Sequence, residues 1–169
     1  MPALGAAVIA DVRNVAAVRP APRTDRNSQI AHEQLLEKAR KGGIDVYFLG
    51  DSITRRWGAT DYPEFLANWN TNFFGWNAAN FGWGGDRIEN MLWRLENGEL
   101  DGVHPRIIVV LAGISRDKLH PGLKGYQVWA DGLKPIFTEI LGPPARTDHA
   151  PPPTGDPNAK PLRTRHEEP

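Results

Sequence analysis

Read as a bare string, the chain points to an α/β domain with a doubly wound parallel sheet, and three features say so. Short aliphatic and aromatic runs at residues 46–49, 77–81 and 107–111 alternate with longer stretches of helical periodicity. Strands separated by helices, rather than strands in succession, are the pattern of a parallel sheet covered by helices. The runs also end in glycine-containing turns: Gly50-Asp51-Ser52, Gly82-Trp83-Gly84-Gly85 and Ala112-Gly113. Right-handed crossovers put the carboxyl ends of such strands on one edge of the sheet, where folds of this kind bind ligands.

The elements follow in order. Residues 1–27, with Arg19-Pro20-Ala21-Pro22, read as a flexible arm. Ser28 is placed to cap a helix with its stripe at Ile30, Ala31, Leu35, Leu36 and Ala39, stopped by Gly42-Gly43. The first strand ends at Leu49 and delivers Ser52 into the next turn. Residues 53–57 begin a helical turn, and 62–69 form another short helix after Asp61-Tyr62-Pro63. A second strand leads into the Gly84-Gly85 block. Residues 86–97 give a strong helical pattern, with Asp86 and Glu89 as a capping-box-like pair, Ile88, Met91, Leu92 and Leu95 on one face, and Gly98 as the stop. The third strand, almost wholly aliphatic, reads as buried on both faces. Residues 126–141 form a closing helix that Pro135 should kink. The foldable domain is therefore 28–142, and the Pro-rich, charged stretch 143–169 is expected to be a disordered tail.

Composition narrows the function classes. At 169 residues a single domain is expected, and 40% apolar content supports a folded core. A formal charge of zero argues against electrostatic capture of nucleic acid or an anionic membrane. No segment approaches the ~20 consecutive apolar residues of a membrane-spanning helix. Cysteine is absent, which excludes disulfides, thiolate metal sites and a cysteine nucleophile. The apolar stretch 3–10 lacks a preceding basic residue and is interrupted by Asp11 and Arg13, a poor secretory leader. The literal reading is a cytoplasmic protein; export behind an altered leader is the alternative.

Ser52 sits where a nucleophile would be useful, although Gly-Asp-Ser is also ordinary turn chemistry. A hydroxyl is a weak nucleophile until a base takes its proton, and histidine suits that task near neutral pH. His32 lies in the first helix, His104 precedes Pro105 in a turn, and His149 and His166 fall in the tail. His120 follows the third strand with Asp117 three residues before it, a spacing that lets the carboxylate buttress the ring; a plain surface turn is the competing reading. Gly84 and Gly85 precede a helix start, where N–H groups can hold an anion, or they simply form a tight turn. A dinucleotide site is disfavoured because Gly82-x-Gly84-x-x-Arg87 lacks the third glycine, and no Gly-x-Ser-x-Gly elbow is present. Asp51 reads as a turn acceptor, Trp57, Trp69, Trp76 and Trp83 mainly as core, and Arg55, Arg56 and Arg87 as solvated surface. No His and acidic cluster has metal-ligand spacing.

These blocks in this order, Gly50-Asp51-Ser52, Gly84-Gly85, residues 107–113 and Asp117-x-x-His120, resemble the GDSL or SGNH hydrolases, in particular the esterases similar to platelet-activating-factor acetylhydrolase. The resemblance covers roughly residues 28 to 142. It implies a flavodoxin-like three-layer sandwich, here shortened to about three strands. It implies catalysis by Ser52, Asp117 and His120, with the N–H groups of Ser52 and Gly85 as oxyanion hole. The substrate would be a small ester, such as an acetylated sugar or lipid-like alcohol, with no cofactor or metal, and relatives in this branch can dimerise, which makes a homodimer one option for this chain. Two departures stand out. Gly113-Ile114-Ser115 replaces the family's Gly-x-Asn, whose side chain is an oxyanion donor. Two strand–helix units, about 60 residues at ~30 per unit, are missing before Asp117. The alternative is a degenerate, non-catalytic member acting as a carbohydrate or lipid binding module.

Overall fold

The computed structural model describes residues 19–112 and 120–158. Three parallel strands, β1 (Val46–Gly50), β2 (Ala78–Gly82) and β3 (Ile107–Leu111), lie in the order β2-β1-β3. This order is the beginning of a flavodoxin-like arrangement, so the α/β expectation holds as a small, open version of that fold. The register aligns Gly50 with Gly82 on one side and with Leu111 on the other. All three carboxyl ends therefore meet at one rim.

Five α-helices flank the sheet among the described residues: α1 (Arg26–Lys41), α2 (Ser52–Gly58), α3 (Pro63–Phe73), α4 (Ile88–Arg94) and α5 (Leu123–Leu141). Side chains alternate across a strand, and β1 shows what that does here. Val46 and Phe48 enter a cluster with Trp57 of α2, Trp69 and Phe73 of α3, and Tyr126 and Phe137 of α5. Tyr47 and Leu49 enter the opposite cluster, with Leu35 and Ala39 of α1 and Met91 of α4. The three-layer sandwich follows from that alternation.

Several boundaries differ from the sequence reading for physical reasons. Helix α1 starts at Arg26 because Asp25, not Ser28, is its cap: the Asp25 carboxylate accepts from Ser28 N at 3.0 Å and Ser28 Oγ at 2.9 Å. Helix α3 runs on to Phe73, since Trp69 and Phe73, one turn apart, both bury in the aromatic cluster. At α4 the capping group is Asn90, whose side chain accepts from Arg87 N at 3.0 Å; Asp86 turns inward to Arg94 instead. The same helix opens after Arg94 into a wide π-type turn, Leu95–Glu99, where Gly98 takes φ 104°. Helix α5 is one helix from Leu123, with Pro135 inside it.

The reading of β3 as buried on both faces is overturned. Ile107, Val109 and Leu111 pack on the aromatic cluster, whereas Ile108 and Val110 are 50% and 57% exposed. Among the described residues β3 is an edge strand, and the helices that cover Tyr47 and Leu49 do not extend over it.

The stretch from residue 143 does not behave as an unattached tail over 143–158. Ala145 N donates to Gly75 O at 2.8 Å, Asp148 Oδ2 accepts from Gly75 N at 2.7 Å, and Thr60 N donates to Thr154 O at 3.0 Å. Composition pointed to disorder, yet the donors and acceptors between the prolines tie this strap to the β2 side of the sheet. Part of the expected arm is also docked: Ala21 N donates to Glu89 O, and Asn90 Nδ2 to Ala21 O. No helix among the described residues is long and apolar enough to cross a membrane.

Candidate active site

Ser52 is the first residue of α2, half-buried at the rim. Asp51 caps the helix, its carboxylate accepting from Ile53 N at 2.8 Å, which is the structural role read for it. The turn is wedged in place by the strands on either side. A Cβ on Gly50 would collide with Leu111 O and Thr54 Oγ1, and one on Gly82 would meet Arg55 N. Thr54 Oγ1 donates to Leu111 O at 2.9 Å, Asn80 Nδ2 donates to Thr54 O at 2.6 Å, and Tyr126 OH donates to Ile53 O at 2.8 Å. Each bond pins one turn of α2 to a different neighbour, so the Ser52 position is set by the sheet and α5 together.

His120 re-enters beside this turn, just before α5. Its Nε2 lies 2.8 Å from Ser52 Oγ. With the ring proton on Nδ1, Nε2 is free to accept from the hydroxyl; the tautomer is the condition on which that direction depends. The ring is exposed. Asp117 lies outside the described residues, as do Gly113 and Ser115.

The turn after β2 closes the site from the other side. Trp83 N donates to Gly50 O at 3.0 Å, and Asp86 N reaches Trp83 O at 3.4 Å. Gly85 has φ 79°, a conformation that glycine adopts without strain. Gly84 faces the serine: a Cβ on it would sit 3.9 Å from Ser52 Cβ. Gly85 faces outward, and a Cβ there would meet Arg23 Nη1 at 3.0 Å. The paired glycines thus let a backbone segment pass between Ser52 and the Arg23 guanidinium.

Of the four tryptophans singled out, Trp57, Trp69 and Trp76 are buried core and Trp83 is half-buried beside the glycine turn. Arg55 is not merely solvated: its guanidinium stacks 5.0 Å from the Trp83 ring centroid and pairs with Asp61 at 2.8 Å.

A buried ionic chain behind the rim escaped the sequence reading. Arg94 Nε donates to Asp86 Oδ2 at 2.8 Å, its Nη1 pairs with Glu99, and its Nη2 donates to Phe81 O at 3.1 Å. Glu99 Oε1 is 2.7 Å from His32 Nδ1. Burial pushes the Asp86 carboxyl up to about 6, with Arg94 pulling the other way. Burial also works against the Arg94 charge, but Glu99 and Asp86 overcome it and hold its pKa above the usual value. The sequence carried only a weak signal: Arg94 comes three residues after Met91, beside the apolar stripe of α4, and a charge buried there needs a partner.

Comparison with known proteins gives a partial family context. No family model matches the chain. It is 30% identical over 124 residues to platelet-activating factor acetylhydrolase IB subunit alpha1 of Rattus norvegicus, covering 70% of this chain and 51% of that protein. It is 35% identical over 89 residues to the IB subunit beta homolog of Drosophila melanogaster, covering 53% of this chain and 37% of the relative. It is 41% identical over 82 residues to the alpha2 subunit of Rattus norvegicus, covering 48% and 33%. The chain spans about half the length, or less, of the curated relatives it matches. It is a distant, partial homologue of proteins named as acetylhydrolase subunits.

Proposed function

We propose that this chain is a serine ester hydrolase of the SGNH type that removes a small acyl group, such as acetyl, through an acyl-enzyme. The reading rests on one distance, the 2.8 Å between Ser52 Oγ and His120 Nε2 at the common rim. That is the reach a general base needs.

In the proposed reaction His120 Nε2 takes the Ser52 proton as Oγ attacks the ester carbonyl. The tetrahedral oxyanion is held by backbone N–H groups of Ser52 and Gly85, next to the Gly84 segment that faces the serine. Collapse breaks the bond to the alcohol, and His120 returns the proton to that leaving oxygen. Water, deprotonated by the same ring, then releases the acid and regenerates Ser52. Asp117 takes the orienting role on Nδ1. Each of these steps uses only the chain's own side chains, its backbone N–H groups and water. In sequence, eight residues, 112–119, separate Leu111 from His120, a span too short for the two strand–helix units that the family resemblance implies. Ser115 stands where the family's asparagine donor would, and loss of one such donor costs about 10²–10³ in turnover. Slow turnover of small, activated esters is the expected behaviour.

A second reading, a non-catalytic binding protein, draws on the half-length match to the relatives and the uncovered face of β3. Turnover of p-nitrophenyl acetate separates the two. Under the hydrolase reading Ser52→Ala and His120→Ala each lose about 10³-fold or more. Equal rates in the wild type and both variants would leave the binding reading.

A further inference from the structure

Behind the glycine turn, on the side away from Ser52, lies a cavity of about 280 Å³ between α1 and α4. Trp83 and Trp93 contribute indole rings to its wall, His32 tilts against Trp93 with ring centroids 5.0 Å apart, and Arg23, Gln29 and Asp86 supply polar groups. We propose that this cavity binds a neutral polyhydroxylated ring, of the sugar class, at a site separate from the Ser52 chemistry.

Three observations converge on that class. Two indole rings in one wall, Trp83 with Arg55 stacked on one of its faces, offer apolar surface to the C–H faces of a saturated hydroxylated ring, and the volume, just below the usual range for small-molecule sites, suits a single ring. Asp86 Oδ1 has no hydrogen-bond partner among the described residues, although its side chain is fully buried. A buried carboxylate oxygen left without a donor is costly, and a ligand hydroxyl would supply one. Oδ1 forms only a long ion pair, 3.6 Å, with Arg23 Nη1, and that 32% exposed side chain is held at its outer end by Asp25 at 2.8 Å and by Gly84 O at 3.4 Å. Swinging that guanidinium outward admits a hydroxyl that donates to Asp86 and accepts from Arg23.

Charge selects the neutral ligand. A cation would sit against Arg23 and Arg94, and an anion against Asp86 and Glu33. Both signs line the wall, so only a ligand that offers donors and acceptors without net charge avoids repulsion.

The test uses the full chain and reads the indole N–H signals of its six tryptophans by ¹H–¹⁵N NMR, assigned by single Trp→Phe variants. Methyl β-D-glucopyranoside is titrated to about 100 mM, where millimolar binding is saturated. Trp83 and Trp93 should shift while the buried Trp57, Trp69 and Trp76 stay fixed, and Ser52→Ala should bind equally well. Trp93→Leu should weaken binding about tenfold. No shift at Trp83 or Trp93 overturns the proposal, as does an equal response to cyclohexanol, to choline or to inorganic phosphate. Because binding is read without turnover, failure of the hydrolase reading and failure of this one are distinguishable.

Discussion

Lys38 is fully buried, and its ammonium donates to Asn80 O at 2.8 Å under the strap that carries Thr154. Burial pulls its pKa from 10.5 down to about 7, with Glu99 opposing that and Lys41 adding to it. The unfolded chain therefore binds more protons than the folded one between about pH 7 and 10.5, and linkage makes folding stability rise with pH across that window. The gain is complete above the unfolded pKa and is lost as pH falls through the folded one, on the order of a few kcal/mol in total. Urea unfolding of wild type and Lys38→Met at pH 6.5 to 9.5 checks this: the wild type should gain stability with pH and the variant much less. Parallel slopes would refute it. Residues of this sort were the least legible in the sequence. Ser52, His120 and Asp51 draw notice by their turn positions, with an ordinary turn as the competing reading, whereas Lys38 and Arg94 sit in helical patterns, and Glu99 follows the Gly98 stop, all three looking solvated until their neighbours are known. Asp86 was misread because a carboxylate three residues before Glu89 mimics a capping box, and only the fold shows Arg94 competing for it.

At the scale of elements, apolar periodicity was a good guide to which segments are helix and which are strand, and a poor one to what ends them. The periods of α1, α4 and α5 are written in side-chain burial, which the sequence carries directly. Their ends depend on which donor or acceptor a distant residue supplies, as Asp25 and Asn90 do. The strap is the clearest case. Its composition lacks the apolar content to build a core, yet Asp148 bonds Gly75 N at 2.7 Å and Asn77 N at 3.3 Å, and Trp76 Nε1 donates to Gly142 O at 2.9 Å. Asp148→Ala leaves two backbone donors without that carboxylate and should cost roughly 1.5–3 kcal/mol, a typical value for bonds to a charged group. Urea denaturation measures it; a loss under a few tenths of a kcal/mol would mean that the strap does not hold the β2 side.

For the whole molecule, the two sides of the sheet are treated unequally. The strap covers the β2 side, with prolines 151–153 across a cavity from residues 78–80. β3 has no partner strand on its outer side among the described residues, and Ile108 and Val110 stand out from it. An uncharged aliphatic edge of this kind is a template for self-association, and a single lysine suffices to blunt it. Val110→Lys should lower concentration-dependent association in light scattering without lowering stability, and an unchanged profile would show that the edge is covered in solution. The parallel order and the shared rim were legible because handedness and alternation fix them. The exposure of β3 was not, since an aliphatic run reads the same whether or not a helix lies over it. The central claim is that this rim activates one particular hydroxyl. Its most direct test is intact-mass and peptide analysis after treatment with a fluorophosphonate: one adduct on Ser52, absent from Ser52→Ala and strongly slowed in His120→Ala, is the expected result, and a wild type that stays unlabelled, or labels elsewhere at the same rate as Ser52→Ala, would contradict the account.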